Sequence, residues 1–313
     1  GDSLRYPASL GLSLDKCPAN APLHRVCDTM DTDLAPEPLR AFRPSEQERR
    51  MDLQGKVAVV TAGANGIGEG AALALAAMGA DVVIGDIDAE NGERVVAAVN
   101  ALGRRAAFHP VDMMQADQAR ALIAFAQTEM GRLDILVNNA GGVRPRPFAD
   151  QTDANWQRVT DLNFTSMLAA TQEAARLLEP GGAIVNVAST EALRAAPGFA
   201  VYAACKAAMV EFTKTMALEL AHRNIRVNCI APDLIDTPGL RPHMPTDPTR
   251  IAVRNRHVPL GRMATIHEAG AVIAFLASPA SSWVTGVTIP VDGGITAAAG
   301  WHTSAAGNWQ LTA

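Results

Sequence analysis

From Lys56 onward, short apolar runs alternate with segments of helical period, and few architectures accept that alternation. The runs are Val57–Thr61, Asp81–Asp86, Ala106–Asp112, Ile135–Asn138, Ala183–Ser189, Arg226–Ala231 and Thr288–Val291. Between the third and fourth, Ala119, Leu122, Ile123, Ala126 and Met130 form one apolar stripe that Gly131 closes. Val95, Val99 and Leu102 repeat the spacing in a segment opened by Asp88 and closed by Gly103. Ala71 to Met78 is almost wholly small and apolar, as a helix pressed closely on a sheet requires. The pattern predicts an α/β fold: a doubly wound, seven-stranded parallel sheet of Rossmann type, helices on both faces, in one domain. The third strand is the weakest by composition.

The domain is expected over residues 51–296, with a tail over 297–313. Residues 1–50 hold 6 of the 19 prolines, mixed charges and no sustained period, so they read as an extension without its own core. Met51 stands close to the expected start of the folded unit and is a candidate natural initiator; deleting residues 1–50 is expected to leave stability and turnover nearly unchanged. These residues lack both the apolar run of a secretory signal and the acid-poor composition of a transit peptide.

A chain that is 48% hydrophobic and 19% charged is neither disordered nor a fibrous repeat. A net charge of −5 without a basic block argues against nucleic acid. No apolar stretch approaches the roughly 18 residues of a membrane span. Cys17, Cys27, Cys205 and Cys229 lack metal-ligand spacing, so no metal is expected and a reducing, cytoplasmic setting is. A Cys17–Cys27 bridge stays open as an alternative.

Chemistry enters at the carboxyl edge of the sheet, where open parallel sheets bind ligands. After the first strand comes Thr61-Ala62-Gly63-Ala64-Asn65-Gly66-Ile67-Gly68, then the small-residue helix. Glycines there let the backbone approach a pyrophosphate, and the helix start offers unpaired N–H groups. Asp86, twenty residues beyond Gly66 at the end of the second strand, is placed to accept both hydroxyls of an adenosine ribose and to repel a 2′-phosphate. With Asn65 where a cation would serve NADP, the segment favours NAD. The bland alternative is a tight strand–helix turn with an unrelated Asp cap.

Three further features meet at that edge. Asn138-Asn139-Ala140-Gly141 ends the fourth strand, Ser189 the fifth, and Tyr202-Ala-Ala-Cys-Lys206 sits on the following helix. Tyr202 and Lys206, at i and i+4, share one helix face. A tyrosine of pKa near 10 is a poor base at neutral pH, so the expectation is that the nearby ammonium lowers it by roughly 2–3 units. Tyr202 then exchanges a proton with an alcohol or carbonyl as hydride moves to or from a nicotinamide, while Ser189 orients the same oxygen.

On these motifs the chain from Met51 to about Ile295 resembles the short-chain dehydrogenase/reductases, in their small single-domain branch. The resemblance implies that Asn163, in its Leu-Asn-Phe setting, binds a water linking Lys206 to solvent. It implies cofactor contacts at Thr61, Gly63, Asn65, Gly66, Ile67, Gly68, Asp86, Ile87, Asp112, Met113, Asn139, Ala140, Gly141, Tyr202, Lys206, Pro232, Ile235 and Thr237. It also implies a homotetramer, or a dimer. Two residues depart from the pattern. Ala62 stands where the first loop glycine is usual, and Asp233 replaces the glycine after the sixth strand's proline.

By the same resemblance, the segment 238–262 covers the substrate. It carries five arginines and two histidines against one acid, Asp247. Arg144, Arg194 and Arg241, with Glu191 and Asp233, are the candidate substrate residues. An anionic substrate, held through a carboxylate or a phosphate-bearing carrier, is one reading; a solvated or subunit-facing basic lid is the other. Trp301 and Trp309 in the tail suggest a subunit contact. The leading functional expectation is an NAD(H)-dependent oxidoreductase interconverting a secondary alcohol and a ketone. A catalytically silent NAD sensor or scaffold and a 3-oxoacyl-thioester reductase are the alternatives. An epimerase or dehydratase of the larger branch would need more chain after the sixth strand.

Overall fold

The computed structural model describes residues 51–311; the 1–50 extension and the Cys17–Cys27 pair lie outside them. The chain runs β1 (Val57–Thr61), α1 (Gly66–Ala77), β2 (Asp81–Asp86), α2 (Ala89–Ala101), β3 (Ala106–Pro110), α3 (Ala116–Met130) and β4 (Ile135–Asn138). It continues through α4 (Asp153–Thr160), α5 (Ser166–Leu177), β5 (Ala183–Val187), α6 (Ala200–Glu219), β6 (Arg226–Pro232), α7 (Pro248–Arg256), α8 (Ile266–Ala277) and β7 (Thr288–Val291). A short α9 (Ile295–Ala298) leads to a hairpin of β8 (His302–Thr303) and β9 (Trp309–Gln310).

The first seven strands form one parallel sheet in the order β3-β2-β1-β4-β5-β6-β7. The order reverses at β1, which pairs β2 on one side and β4 on the other. A crevice opens beyond the carboxyl ends of strands at such a switch point. Alternate residues of each strand face opposite ways, so Ala58 and Val60 join a core with α1, α2 and α8, while Val59 joins one with α3, α5 and α6. β3 is the edge strand and only half-buried, in keeping with its weak composition; its closing Pro110 costs no ladder bond at an edge.

Local signals fix most helix ends. Gly131 takes φ 81° and its N–H reaches Gln127 O at 3.0 Å; Asp88 caps α2 by accepting from Asn91 N at 3.1 Å. Gly70 of α1 and Gly270 of α8 let the two backbones touch: a Cβ on Gly270 would lie 2.2 Å from Gly70 O.

Some expectations fail at the edges. β3 stops at Pro110 because Asp112 turns the chain, accepting from Met114 N at 3.0 Å. β5 stops at Val187 because Ser189 opens a 3-10 turn. Leu102 lies beyond α2 and is half exposed rather than part of the stripe. Within the chain, the tail docks through His302. That imidazole is buried, stacks on His257 with ring centroids 4.7 Å apart, and meets Gln310 Nε2 at 3.1 Å, while Trp301 and Trp309 stay about half exposed.

Candidate active site

The glycine loop is folded on itself. Thr61 Oγ1 accepts from the backbone N–H of Asn139 and Ala140 at 2.9 and 3.0 Å and donates to Val137 O at 3.3 Å. Asn139 Nδ2 donates to the carbonyls of Thr61 (3.1 Å) and Ala62 (2.9 Å). Both side chains thus stitch β1 to β4 and hold the loop's shape. A Cβ on Gly68 would lie 2.2 Å from Ala62 O and 2.6 Å from Asn139 Nδ2, so only glycine fits there. Gly66 has φ 57° beneath the Thr237 methyl, which brings the segment after β6 over the loop. Ala62 takes φ 50°, the left-handed conformation its Cβ disfavours by roughly 1–2 kcal/mol. Asn65 leaves the start of α1 without a side-chain cap, so its first-turn N–H groups face the crevice as an anion cradle.

Around the ribose position the loop is acidic. Asp86 accepts from Ala64 N through Oδ2 and from Asp88 N through Oδ1, each at 3.0 Å. Asn65 Nδ2 is bound to Asp88 Oδ2 at 3.1 Å. Hydrogen bonds from Asn91 hold the Asp88 carboxyl below its usual range. The nearest guanidinium, Arg94, is forked onto Glu69 at 2.6 and 2.9 Å. Ile87 is exposed just past Asp86; across the crevice Met113 is buried beside the half-buried Asp112.

Tyr202 and Lys206 leave α6 on the same face, one turn apart, but their tips do not meet. Lys206 Nζ lies 5.7 Å from the Tyr202 ring centroid and donates to Val187 O at 2.8 Å, a carbonyl at the end of β5. Burial lowers this ammonium to about 8, so it stays mostly charged at neutral pH with a proton easily given up. Burial also pushes the Tyr202 phenol up to about 12, opposed by a hydrogen bond with Ser189 and reinforced by the carboxylates of Glu191 and Asp233. The expected lowering of the phenol by Lys206 is therefore absent: Ser189, not the ammonium, is its polar neighbour here.

Asn163 sits in a π turn, Asp161–Thr165, between α4 and α5, and is fully buried. Such widened turns recur at functional sites. Its Oδ1 accepts from Gly142 N at 2.9 Å, and its Nδ2 donates to Gly142 O (2.9 Å) and Val159 O (2.8 Å). That side chain thus clamps the chain after β4. Gly141 is where the groups converge: a Cβ there would lie 2.9 Å from both Asn163 Oδ1 and Lys206 Nζ.

The substrate side departs most from expectation. Glu191 accepts a short hydrogen bond from Ser189 Oγ. Arg194 lies 2.6 Å from Asp233 and 3.6 Å from Glu191. Asp233 also accepts from Thr190 Oγ1 at 2.7 Å, and burial raises its carboxyl despite these partners. Two of the five lid arginines are neutralised by acids just outside it: Arg241 pairs with Asp236 at 2.7 Å and Arg262 with Glu268 at 2.6 Å. Asp247 instead caps α7. Ile235 is buried and bridges to Ala264, which ties the start of the lid to the segment before α8. Pro232 ends β6, its carbonyl 3.5 Å from Ser189 Oγ.

A buried polar chain beneath the site was not anticipated. Asn138 Nδ2 donates to Thr171 Oγ1 and Asn186 Oδ1, and Asn186 Nδ2 to Thr213 Oγ1. The sequence did hold a signal, since Asn138 and Asn186 interrupt apolar runs and pair in register. Thr190 had no such mark. Two hollows lie elsewhere, one of about 170 Å³ by Lys56, Asp134 and Arg226 at the opposite edge of the sheet. The other, about 440 Å³, lies between Val258–Leu260 and Asp292–Gly294.

Comparison with known proteins agrees with this geometry. The family model described as enoyl-(acyl carrier protein) reductase matches residues 61–296. The chain is 37% identical over 247 residues to 3-oxoacyl-(acyl-carrier-protein) reductase FabG of Thermotoga maritima, covering 78% of this chain and 99% of that protein. It resembles the structure of a 7α-hydroxysteroid dehydrogenase complexed with NADH and 7-oxo glycochenodeoxycholic acid (TM-score 0.74, 36% identity, 79% and 96% of the two chains). It also resembles a short chain dehydrogenase from Burkholderia cenocepacia J2315 in complex with NADP (TM-score 0.73, 35% identity, 78% and 99%).

Proposed function

The chain belongs to the short-chain dehydrogenase/reductase family, and from that premise we propose that it uses NAD(H), with Tyr202 as the general acid/base. Membership makes it an oxidoreductase acting on CH–OH donors with a nicotinamide cofactor, interconverting an alcohol and a ketone. When bound, that cofactor supplies or accepts the hydride. The uncapped start of α1 and the Gly66–Gly68 turn suit its pyrophosphate, and Lys206 its nicotinamide ribose. Ile87, Asp112 and Met113 flank the adenine position.

NAD is favoured over NADP by charge. Asp86 and Asp88 stand side by side at the ribose, and the one nearby guanidinium is already committed to Glu69. A 2′-phosphate would meet carboxylates instead of a free cation.

The observation that carries the catalytic reading is the convergence at Gly141 of Asn163 and Lys206, with Tyr202 one helical turn from Lys206 and Ser189 its polar neighbour. A phenol raised to about 12 is protonated at neutral pH, so it is set to give its proton to a carbonyl oxygen. Ser189 holds that oxygen, and Lys206 replenishes the proton through the same face of α6. A sensor or scaffold has no use for this buried lysine, whose burial costs stability. NADH oxidation by a panel of ketones, run beside NADPH, tests the reading; no turnover with either coenzyme from a protein that binds them would refute it.

A 3-oxoacyl thioester on an acidic carrier is the second reading. Arg144 and Arg250, which make no ion pair among the described residues, are the cations it would use. Exposed Leu218, Trp283 and Trp309 support self-association, read as a homotetramer and measurable by light scattering.

A further inference from the structure

We propose that the substrate carries a hydrogen-bond donor, a hydroxyl or an ammonium, on the carbon next to the reacting carbinol, and that Glu191 selects it. The inference rests on the catalytic reading above and names the substrate class of that site.

Proton bookkeeping at Ser189 is the reason. A serine hydroxyl has one proton to give, and here it goes to the Glu191 carboxylate. Ser189 is also the polar neighbour that opposes the rise of the Tyr202 phenol, as a group that donates to a phenolate does. With that proton committed inside the protein, Ser189 does not offer it to a substrate oxygen. Something must take Glu191 for Ser189 to be freed, and a carboxylate is released by a competing donor.

The surroundings decide what that donor is. Glu191 is partly exposed, with 22% of its side chain accessible, so an incoming group reaches it. Asp233, only 9% accessible, lies behind it and is already occupied by Thr190 and Arg194. One guanidinium faces two carboxylates, leaving the wall beside the reacting oxygen net negative. An adjacent carboxylate on the substrate would be repelled there. A neutral methyl would leave Glu191 on Ser189. A hydroxyl or ammonium one carbon from the carbinol bonds Glu191 while its neighbour oxygen sits on Ser189 and Tyr202; Glu191 lies only two residues beyond Ser189, and their side chains already touch.

In the oxidative direction the phenol first loses its proton to solvent by way of Lys206; the Tyr202 phenolate would then take the carbinol's O–H proton while the bound nicotinamide would accept the C–H hydride. The product is an α-hydroxy or α-ammonio ketone, and reduction runs the same transfers backwards.

The test compares kcat/KM for 2-butanol, 2,3-butanediol, 1-amino-2-propanol and lactate with the NAD-loaded enzyme. Wild type is expected to favour the diol, the amino alcohol or both over 2-butanol by about tenfold or more, with lactate poorest; an adjacent donor bonded to a carboxylate is worth that much. Glu191→Gln keeps a hydrogen-bonding amide but no charge. It should retain a diol preference and cut any amino-alcohol preference at least tenfold, a split that general damage to the fold would not produce. Glu191→Ala should bring the diol to 2-butanol ratio to within about twofold. Equal use of the four substrates, or a preference for lactate or 2-butanol, overturns the inference and leaves the dehydrogenase reading standing. No turnover of any of the four, nor of any ketone in the reverse direction, overturns both.

Discussion

The cofactor cradle and the substrate mouth lie at the same edge of one sheet, yet they are built differently. The cradle is continuous chain: β1, a turn of eight residues, α1, and an acid at the end of β2. Its contacts are backbone to backbone or backbone to a short side chain, so few substitutions preserve it. The mouth is assembled from Ser189–Arg194, Asp233 and the lid, segments far apart in sequence that meet through side-chain hydrogen bonds and ion pairs. The contrast teaches how differently the two are held: the cradle by backbone shape, the mouth by charged side chains from separate segments.

Between the two lies the reacting pair, and altering it should give the largest effect. Tyr202→Phe is expected to lower kcat by about a thousandfold or more while NADH still binds, as fluorescence titration would report. Weakened NADH binding of similar size would place Tyr202 in the cradle and erase the boundary.

Lys206→Met is next. Burying this ammonium lowers its pKa from 10.5 to about 8, a cost on the order of 3 kcal/mol to the charged form. Between pH 8 and 10.5 the unfolded chain binds the extra proton, so stability rises with pH through that window and is lost as pH falls through 8. Tyr202 acts in the opposite sense, since its proton is held to about 12 in the folded protein against 10 when unfolded. Its contribution is present below pH 10 and lost as pH rises through 12. The methionine variant should be inactive yet more stable at pH 7, and the rise between pH 8 and 10 in denaturant titrations should vanish. A destabilised variant would mean that the Val187 hydrogen bond outweighs the burial.

Asp86→Ala sharpens the comparison from the cradle side. It should shift the NAD to NADP ratio of kcat/KM toward NADP by about tenfold, and also loosen the loop, because Asp86 holds Ala64 N and Asp88 N. An unchanged ratio would assign Asp86 to loop structure alone. The smallest effect is expected at Ala62→Gly, which relieves φ 50° and should raise thermal stability by about 1 kcal/mol. A lower Tm would show that the alanine methyl packs better than its conformation costs.

The cradle was legible because its signals are local. Gly66 and Gly68 need conformations or clearances only glycine supplies, and Asp86 falls where β2 must end. The spacing of Tyr202 and Lys206 was equally plain. What their tips do was not: the ammonium turned to Val187 O, a partner on another element, and the phenol met Ser189. The lid's charge was only partly legible for the same reason. Two of its arginines, Arg241 and Arg262, are neutralised by Asp236 and Glu268, just outside the stretch counted, while Asp233, which reads in sequence as a mere departure from glycine, pairs with Arg194 outside the lid.

The sequence by itself determined the seven parallel strands, their helices, the loop and the placing of Tyr202 and Lys206 on one helix face, since periodicity and backbone sterics act over a few residues. Only the tertiary structure decided which hydrogen bonds those side chains make and what net charge the substrate meets. Both depend on groups brought together from distant parts of the chain, in surroundings where burial moves a proton by two units or more.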